Sequence, residues 1–183
     1  HVSLWSGKIN KFLDTGDRLG LSKIAYDFLG GIMKFAQPLS AFFNPTVNSY
    51  RRINAPPTKS GASWSPSSIS YSGNNRTHMI RIPDPGRFEL RLMDGSVNPY
   101  LLQAGVIASG IYGLNNKVDP GEPLSCNMYT DYKKYPNLKC LCLQSHLLDS
   151  VTLRIDRTLV HGHIRCPCIR MECAYRESWF RDT

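Results

Sequence analysis

The chain has 183 residues, of which 42% are hydrophobic and 20% charged. A chain of this length and composition can bury the core of one ordinary domain, and it does not belong to the disordered class. It has no run of about 18 apolar residues, as a membrane-spanning helix needs, and its first residues lack the basic and apolar regions of a signal peptide. We therefore expect no membrane partner and a cytoplasmic location.

The formal net charge of +8 would suit a nucleic-acid ligand. The basic residues, however, are spread along the chain without a block of five like charges, so we expect no nucleic-acid partner. The six cysteines all lie in the last third of the sequence, and without a secretory signal we expect reduced thiols. The chain begins with His1 and not with a methionine, which indicates a processed chain or a piece of a longer one.

The first five residues predict that the chain opens within a β-strand, because His1, Ser3 and Trp5 alternate with Val2 and Leu4. His1 and Ser3 would then share one face of the strand and could both contact a ligand. An exposed strand end without a ligand would give the same pattern, so both interpretations stay open at this point.

A helix is predicted from Leu21 onward, where apolar residues fall at helical spacing and Ser22 is placed as the N-cap. The pair Gly30-Gly31 within it costs about 1 kcal/mol per glycine relative to alanine. Close packing against another backbone would account for the pair. Pro38 is expected to end the helix, because proline removes a backbone donor and clashes with the preceding turn.

The stretch from residue 44 to residue 68 is predicted to be a loop, since it holds four prolines and several serines. Arg51 and Arg52 lie in it, after a run that we predict to be extended. Paired arginines on a loop are usually solvated. They matter for function only if the fold brings them to other charged groups.

A β-hairpin is predicted from Thr77–Ile82 and Arg87–Met93, which are joined by a turn of prolines and glycine. On the second strand three charged residues point to one face and three apolar residues to the other. The charged residues are Arg87, Glu89 and Arg91, and the apolar residues are Phe88, Leu90 and Leu92. Two cations beside a carboxylate are costly unless that face meets water, a metal or an anion. The strand predicts a site for charged ligands, and a structural ladder of salt bridges is the alternative.

Arg76 and Arg81 have opposite parity along the first strand of this hairpin. They can share a site only if Arg76 lies on the turn before the strand or a bulge intervenes.

A second helix is predicted to begin at Asn98 and Pro99, as cap and first helical residue, and to end at Gly113. It is apolar on most sides and is therefore expected to be buried.

Four segments resemble the C-terminal half of the catalytic domain of glutamine synthetases in their residues, their order and their spacing. They are NPTVNSYRR (44–52), NNRTHMIRIP (74–83), GRFELR (86–91) and DGSVNPYLLQAG (94–105). HVSLW and GLSKIAYDFLGGIMKFA agree too, so the resemblance covers residues 1–130. The type III-like variant of the family is the most similar to this chain in sequence. It implies an α+β fold of antiparallel strands packed with helices, with residues 1–150 as the C-terminal part of the catalytic domain.

The resemblance implies the family's reaction, in which ATP drives the ligation of ammonia to L-glutamate through γ-glutamyl phosphate. It also implies Mg²⁺ or Mn²⁺ as cofactor and a homo-oligomer of stacked rings. By motif, Arg76 is implied as the catalytic residue beside the transferring phosphate. The other implied roles are ATP binding for His1, Ser3, Arg81 and Arg87, glutamate binding for Arg52 and Arg91, and metal ligation for Glu89. Such chemistry agrees with an arginine-rich strand, since arginine forks bind phosphate and carboxylate bidentately.

The sequence departs from the family in what surrounds these motifs. The family's other metal-ligating glutamates and a metal-ligating histidine precede the segment that His1 begins, and its smaller N-terminal domain is absent. One glutamate cannot hold a divalent cation alone, so we expect a partial copy that is inactive by itself. In INAPP (53–57) no acidic residue stands where relatives carry a glutamate that helps bind ammonium. This leaves a γ-glutamyl amine ligase as the alternative function.

The last part of the chain, residues 151–183, loses helical periodicity and is interpreted as a divergent or frameshifted tail. An alternative is zinc binding, because thiolate and imidazole are the ligands of zinc. The candidate ligands are His161, His163, Cys166, Cys168 and Cys173. Their spacing matches no standard zinc module. With a zinc-binding tail, the chain would be a non-catalytic fragment.

Overall fold

The computed structural model describes residues 1–53 and 65–141. The chain divides into two units, His1–Leu141 and Cys142–Thr183, and everything described below belongs to the first. The fold is α+β, as predicted. Its strands are β1 (Trp5–Ser6), β2 (Ile9–Asn10), β3 (Tyr71–Ser72), β4 (Ile80–Asp84) and β5 (Arg87–Leu90). Its helices are α1 (Lys23–Phe43), α2 (Val47–Ile53), α3 (Pro99–Asn116) and α4 (Met128–Asp131), followed by a 3-10 turn at Tyr132–Lys134.

A three-stranded sheet in the order β3-β4-β5 carries the charged strand. β4 and β5 form the predicted antiparallel hairpin, with shorter strands than expected, and β3 lies parallel to β4. Arg81 pairs directly with Glu89, and the register then shifts before Asp84 meets Arg87. Because paired residues share a face of the sheet, this register brings an arginine of β4 beside the glutamate of β5.

The start of the chain adds to the free edge of β5. The Val2 N–H donates to the Phe88 carbonyl at 2.8 Å, and the Phe88 N–H donates back at 3.1 Å. The predicted opening strand is therefore a single bridge at Val2, followed by the separate short hairpin of β1 and β2. This pairing holds His1 next to Arg87 on the neighbouring strand.

Helix α1 begins at the predicted cap, because the Ser22 hydroxyl accepts a hydrogen bond from the Ala25 N–H at 3.3 Å. The predicted end at Pro38 is wrong, since the helix continues to Phe43 with Pro38 inside it. A proline in a helix loses one backbone hydrogen bond. The burial of the fully enclosed Phe43 beyond it offsets that loss.

Helices α1 and α3 cross at glycines, as Gly30-Gly31 led us to expect. A Cβ added to Gly31 would lie 2.8 Å from the Gly113 Cα, closer than side-chain atoms pack. The prediction that Gly113 ends α3 is wrong, because this glycine serves the close crossing instead. The helix ends at Asn116, where Lys117 adopts the left-handed conformation (φ 48°) and its N–H bonds back to the carbonyls of the last turn.

The predicted burial of α3 is also wrong for the part of the chain that the structure describes. The Asn98 side chain caps its start as predicted, with the Pro99 ring in the first turn. Its apolar residues outside the α1 contact nevertheless reach solvent, with Tyr100 82% and Ile107 54% exposed. The helix is apolar on more sides than α1 alone can cover.

The prediction of a loop after Asn44 is wrong for its first part, where α2 carries Arg51 and Arg52. Its first turn is closed by two reciprocal bonds, since the Ser49 N–H donates to the Thr46 hydroxyl and the Thr46 N–H to the Ser49 hydroxyl, each at 3.2 Å. This resembles a capping box with serine in place of the usual glutamate. Residues 54–64 of the predicted loop lie outside the described residues.

The core lies between α1 and the sheet. Phe12 stacks on Phe88 at a ring-centroid distance of 5.7 Å, and Phe28 meets Phe12 edge-on at 5.4 Å. Phe88, Leu90 and Leu92 are buried, as the alternation of β5 predicts. The opposite face of β5, which carries Arg87 and Glu89, therefore points away from the core and is partly exposed. No helix in residues 1–53 and 65–141 is both long and apolar enough to cross a membrane.

Candidate active site

Glu89 lies between two arginines on the outer face of the hairpin. Arg81 Nη1 donates to Glu89 Oε2 at 2.7 Å, and Arg91 Nε donates to Glu89 Oε1 at 3.1 Å. The side chains of Arg81 and Arg91 are each 15% exposed and that of Glu89 22%, so these ion pairs are largely shielded from solvent. Shielded, charge-assisted bonds hold their geometry better than exposed ones, so this trio is a rigid element.

Asn74 fixes the second side of the Arg81 guanidinium. Its Oδ1 accepts from Arg81 Nε at 2.8 Å and from Arg81 Nη2 at 2.5 Å. Asn74 was not among the residues predicted from the sequence, although it stands in the NNRT motif beside Arg76. A polar side chain in a turn before a charged strand was the available signal, and it is a weak one because turns favour asparagine for conformational reasons.

Arg76 lies on the turn before β4, as its parity with Arg81 required. Its side chain is exposed, and its backbone carbonyl accepts a hydrogen bond from Arg91 Nη1. The structure thus ties the Arg76 turn to the same guanidinium that holds Glu89. Arg76, Arg81, Glu89 and Arg91 form one cluster, which we call the arginine cluster.

Arg52 approaches this cluster from α2. Its Nη2 donates to Asn44 Oδ1 at 3.0 Å and to the Leu92 carbonyl at 2.9 Å. Its Nε is buried and has no acceptor among the described residues. Burial lowers the pKa of the Arg52 guanidinium, a shift that Asp94 opposes and the positive charge of Arg91 reinforces. A buried donor without an acceptor is costly in the free protein.

Tyr129 is a further residue near these charges that the sequence did not single out as part of the site. Burial raises the pKa of its phenol, while the charges of Arg91 and Arg52 lower it. Its hydroxyl donates to the Ser65 carbonyl at 3.2 Å. A tyrosine nearly forty residues downstream of Arg91 carries no local signal of this proximity, which only the tertiary fold creates.

A second group stands at the turn end of the hairpin. Arg87 Nε donates to Asp84 Oδ2 at 3.0 Å, and Arg87 Nη1 lies 3.4 Å from His1 Nδ1. The structure therefore brings together two of the predicted ATP-binding residues. Of the other two, Ser3 accepts a hydrogen bond from the Trp5 indole at 3.1 Å, and Arg81 belongs to the arginine cluster. The roles of these residues in binding ATP stay predictions.

The described residues do not by themselves fit a divalent cation. Nowhere in residues 1–53 and 65–141 do three or more His, Cys, Asp or Glu side chains come close enough together to hold a metal ion. Both oxygens of Glu89 bond to guanidinium groups, and hard cations want several oxygen ligands. Glu89 can supply one carboxylate, and its role as a metal ligand stays a prediction. The predicted zinc ligands of the tail lie outside the described residues.

Comparison with known proteins decides the family. The family profile "Glutamine synthetase, catalytic domain" matches residues 1–153. The chain belongs to the glutamine synthetase family. The glutamine synthetase of Rhizobium meliloti (strain 1021) is 54% identical over 153 residues, an alignment that covers 82% of this chain and 35% of that relative. The family resemblance read from the four motifs is thus confirmed.

A relative whose name gives another acceptor is also similar to the chain. The glutamate–methylamine ligase of Methyloversatilis universalis is 49% identical over 131 residues, which are 70% of this chain and 29% of the relative. Among solved structures, the GmaS/ADP complex in conformation 1 superposes with a TM-score of 0.72 at 50% identity, covering 81% of this chain and 34% of the other. The chain spans about a third of the length of these relatives.

Proposed function

We propose that this chain contributes the arginine-bearing side of a glutamate ligase active site of the glutamine synthetase type. The reaction is the ATP-dependent ligation of ammonia to L-glutamate through γ-glutamyl phosphate. The observation that carries the proposal is the arginine cluster, in which the guanidinium groups of Arg81 and Arg91 hold one carboxylate and Arg91 also bonds to the turn of Arg76, with Arg52 beside them. An excess of fixed positive charge on a rigid sheet suits a reaction whose substrates and transition state are anionic.

The geometry supports different roles for Arg52 and the members of the arginine cluster. Arg52 has a buried Nε without an acceptor among the described residues, and Arg91 lies close enough to affect its pKa. The two would receive the carboxylate of glutamate, because guanidinium forks match carboxylates in shape and charge. Arg76 is exposed on its turn and would contact the phosphoryl group in transfer as the catalytic residue, with Arg81 beside it.

Arg87 and His1 would bind the ATP phosphates and nucleotide at the other end of the hairpin, with Ser3 nearby. The metal that the family uses, Mg²⁺ or Mn²⁺, would be held partly by Glu89 and would neutralise phosphate charge when bound. Without the metal, Arg81 and Arg91 hold the Glu89 carboxylate in place on the strand. Residues 1–150 act here as part of a catalytic domain, and a homo-oligomer of stacked rings is the proposed assembly.

A second candidate is a γ-glutamyl amine ligase, in which a small primary amine replaces ammonia. It is favoured by the similarity to a glutamate–methylamine ligase and by the absence of an acidic residue in INAPP (53–57). Without an acidic residue in that segment to hold ammonium, the sequence leaves room for another amine as the acceptor. Of that segment, the structure describes Ile53 alone.

The test uses a grafted enzyme, in which residues 1–153 of this chain replace the matching residues of the Rhizobium meliloti relative. The unsubstituted graft should release phosphate in a manner that depends on both ATP and glutamate. Arg76→Ala should lower this rate by about 10²-fold or more, through loss of charge stabilisation in the transition state. Arg51→Ala is the matched control, because Arg51 is exposed on the same helix as Arg52 and bonds only weakly to Asn48 at 3.4 Å.

The proposal fails if Arg76→Ala keeps the rate of the unsubstituted graft, or if Arg51→Ala lowers it as much. Competition between ammonium and methylamine in the same enzyme then distinguishes the two acceptors. A kcat/KM that is higher for ammonium supports the synthetase, and a higher value for methylamine supports the amine ligase.

A further inference from the structure

The turn that carries Arg76 is held on its core side by a fully buried histidine. His78 is 0% exposed, and its Nε2 lies 2.9 Å from the Cys126 carbonyl while its Nδ1 lies 3.0 Å from the Ser70 hydroxyl. A carbonyl can only accept, so Nε2 carries the hydrogen and Nδ1 accepts from Ser70. His78 lies between Arg76 and β4, and it therefore joins this part of the chain to the segment at Cys126, about fifty residues downstream.

The two residues that flank Arg76 are tied to the same segment. Asn75 Nδ2 donates to the Cys126 carbonyl at 2.9 Å, so that one oxygen receives both Asn75 and His78. Asn75 Oδ1 accepts from the Thr77 N–H at 3.0 Å and from the Thr77 hydroxyl at 2.8 Å. The Thr77 oxygen in turn accepts from the Met128 N–H at 3.0 Å. The side chains of Asn75, Thr77 and His78 thus each make at least two hydrogen bonds in this small network, which makes it rigid.

The outer side of the turn is held by the Arg91 guanidinium on the Arg76 carbonyl. The backbone of Arg76 is thus fixed from both sides while its side chain stays exposed. Among these contacts we single out the hydrogen bond from His78 to the Cys126 carbonyl, because the His78 side chain is fully buried. Removing its N–H would leave that carbonyl with Asn75 alone and would free the turn to shift.

We propose that His78 is a positioning residue, which acts through the Cys126 carbonyl and Asn75 to hold Arg76 in place for the reaction. This rests on the proposed function, because it deepens the role assigned to Arg76. His78 itself is fully enclosed and does not touch substrate. A shift of about 1 Å at a charge-stabilising group costs on the order of 10²-fold in rate, so the effect of an anchor can be large.

The first test needs no activity and uses the full 183-residue chain. His78→Leu should speed amide hydrogen exchange at Thr77 by about tenfold, in line with the loss of a buried hydrogen bond, and should leave the Ile32 amide of α1 less affected. His78→Gln should keep slow exchange, because the glutamine amide can supply the Nε N–H. Tyr71→Phe is the control, since it removes another bond from this sheet, the 2.5 Å bond from its hydroxyl to the Gly121 carbonyl.

Two results in this experiment would overturn the proposal. One is unchanged exchange at Thr77 in His78→Leu. The other is equal acceleration at Thr77 and Ile32, which would mean that His78 only stabilises the fold as a whole.

The second test measures kinetics in the grafted enzyme. His78→Leu should lower kcat by about tenfold or more with a smaller change in the KM for glutamate, and His78→Gln should restore most of kcat. In the Arg76→Ala background, His78→Leu should have almost no further effect on kcat, because it acts through Arg76. An equal loss with and without Arg76 would overturn the positioning role and leave the proposed function standing. An Arg76→Ala enzyme with full kcat would instead overturn the proposed function, while the exchange result would remain.

Discussion

Phe88 is the apolar anchor of the strand that bears Arg87 and Glu89, and its removal offers a sharp test of the fold. Its ring is 0% exposed, stacks on Phe12 at 5.7 Å and lies 6.3 Å from Phe28. Truncating a buried phenylalanine to alanine costs about 3–5 kcal/mol through lost burial and the remaining cavity. Two aromatic contacts are lost at once, which favours the upper half of that range.

The measurement is urea denaturation of the 183-residue chain, followed by far-ultraviolet circular dichroism. Phe88→Ala should lower the free energy of unfolding by about 4 kcal/mol, or leave the chain unfolded in buffer. Phe42→Ala is the matched control, because Phe42 is 53% exposed on α1 and its loss should change stability by about 0.5 kcal/mol or less. Equal effects of the two substitutions would refute the assignment of Phe88 to the core.

Two more predictions concern stability. Burial lowers the pKa of His78 below its ordinary 6.5, so the unfolded state binds the proton more readily. The neutral form of His78 therefore makes its full contribution to the free energy of unfolding above pH 6.5. As the pH falls below this value, that contribution is lost by up to about 1.4 kcal/mol per pH unit. The free energy of unfolding of His78→Gln should lack this part of the pH dependence, and an unchanged pH dependence would contradict the prediction. Gly31→Ala should lower the free energy of unfolding by about 1–3 kcal/mol, because the added Cβ pushes α1 away from Gly113. Gly95→Ala is the control and should be nearly neutral in the same denaturation assay, because no atom lies within 4 Å of its added Cβ. Equal losses of stability in the two variants would argue against the close crossing.

Local signals in the sequence predicted those elements whose residues act within a few positions of one another. Ser22 caps α1 and Asn98 caps α3, because capping depends on the backbone of the next three residues. The hairpin and the two faces of β5 follow from alternation alone. The pair of Arg81 and Glu89 was within reach of the same reasoning, had the register of the hairpin been assigned.

The failures occurred where packing between distant segments outweighs local preference. Pro38 remains inside α1 because Phe43 beyond it is buried, and Gly113 lies inside α3 because α1 passes close to it. Helix α2 was missed because its capping pair uses Ser49 in place of the acidic partner that sequence rules look for. The approach of Arg52 and Tyr129 to the cluster depends on the tertiary fold, which no local pattern encodes.

The most direct test of the central claim follows one oxygen atom in the grafted enzyme. Glutamate labelled with oxygen-18 in its γ-carboxylate should pass one labelled oxygen to the released phosphate, because the acceptor amine expels phosphate from γ-glutamyl phosphate. We predict labelled phosphate from the graft and from its Arg51→Ala variant, and release slowed by about 10²-fold in Arg76→Ala. Unlabelled phosphate from the graft, or labelled phosphate at full rate from Arg76→Ala, would contradict the account.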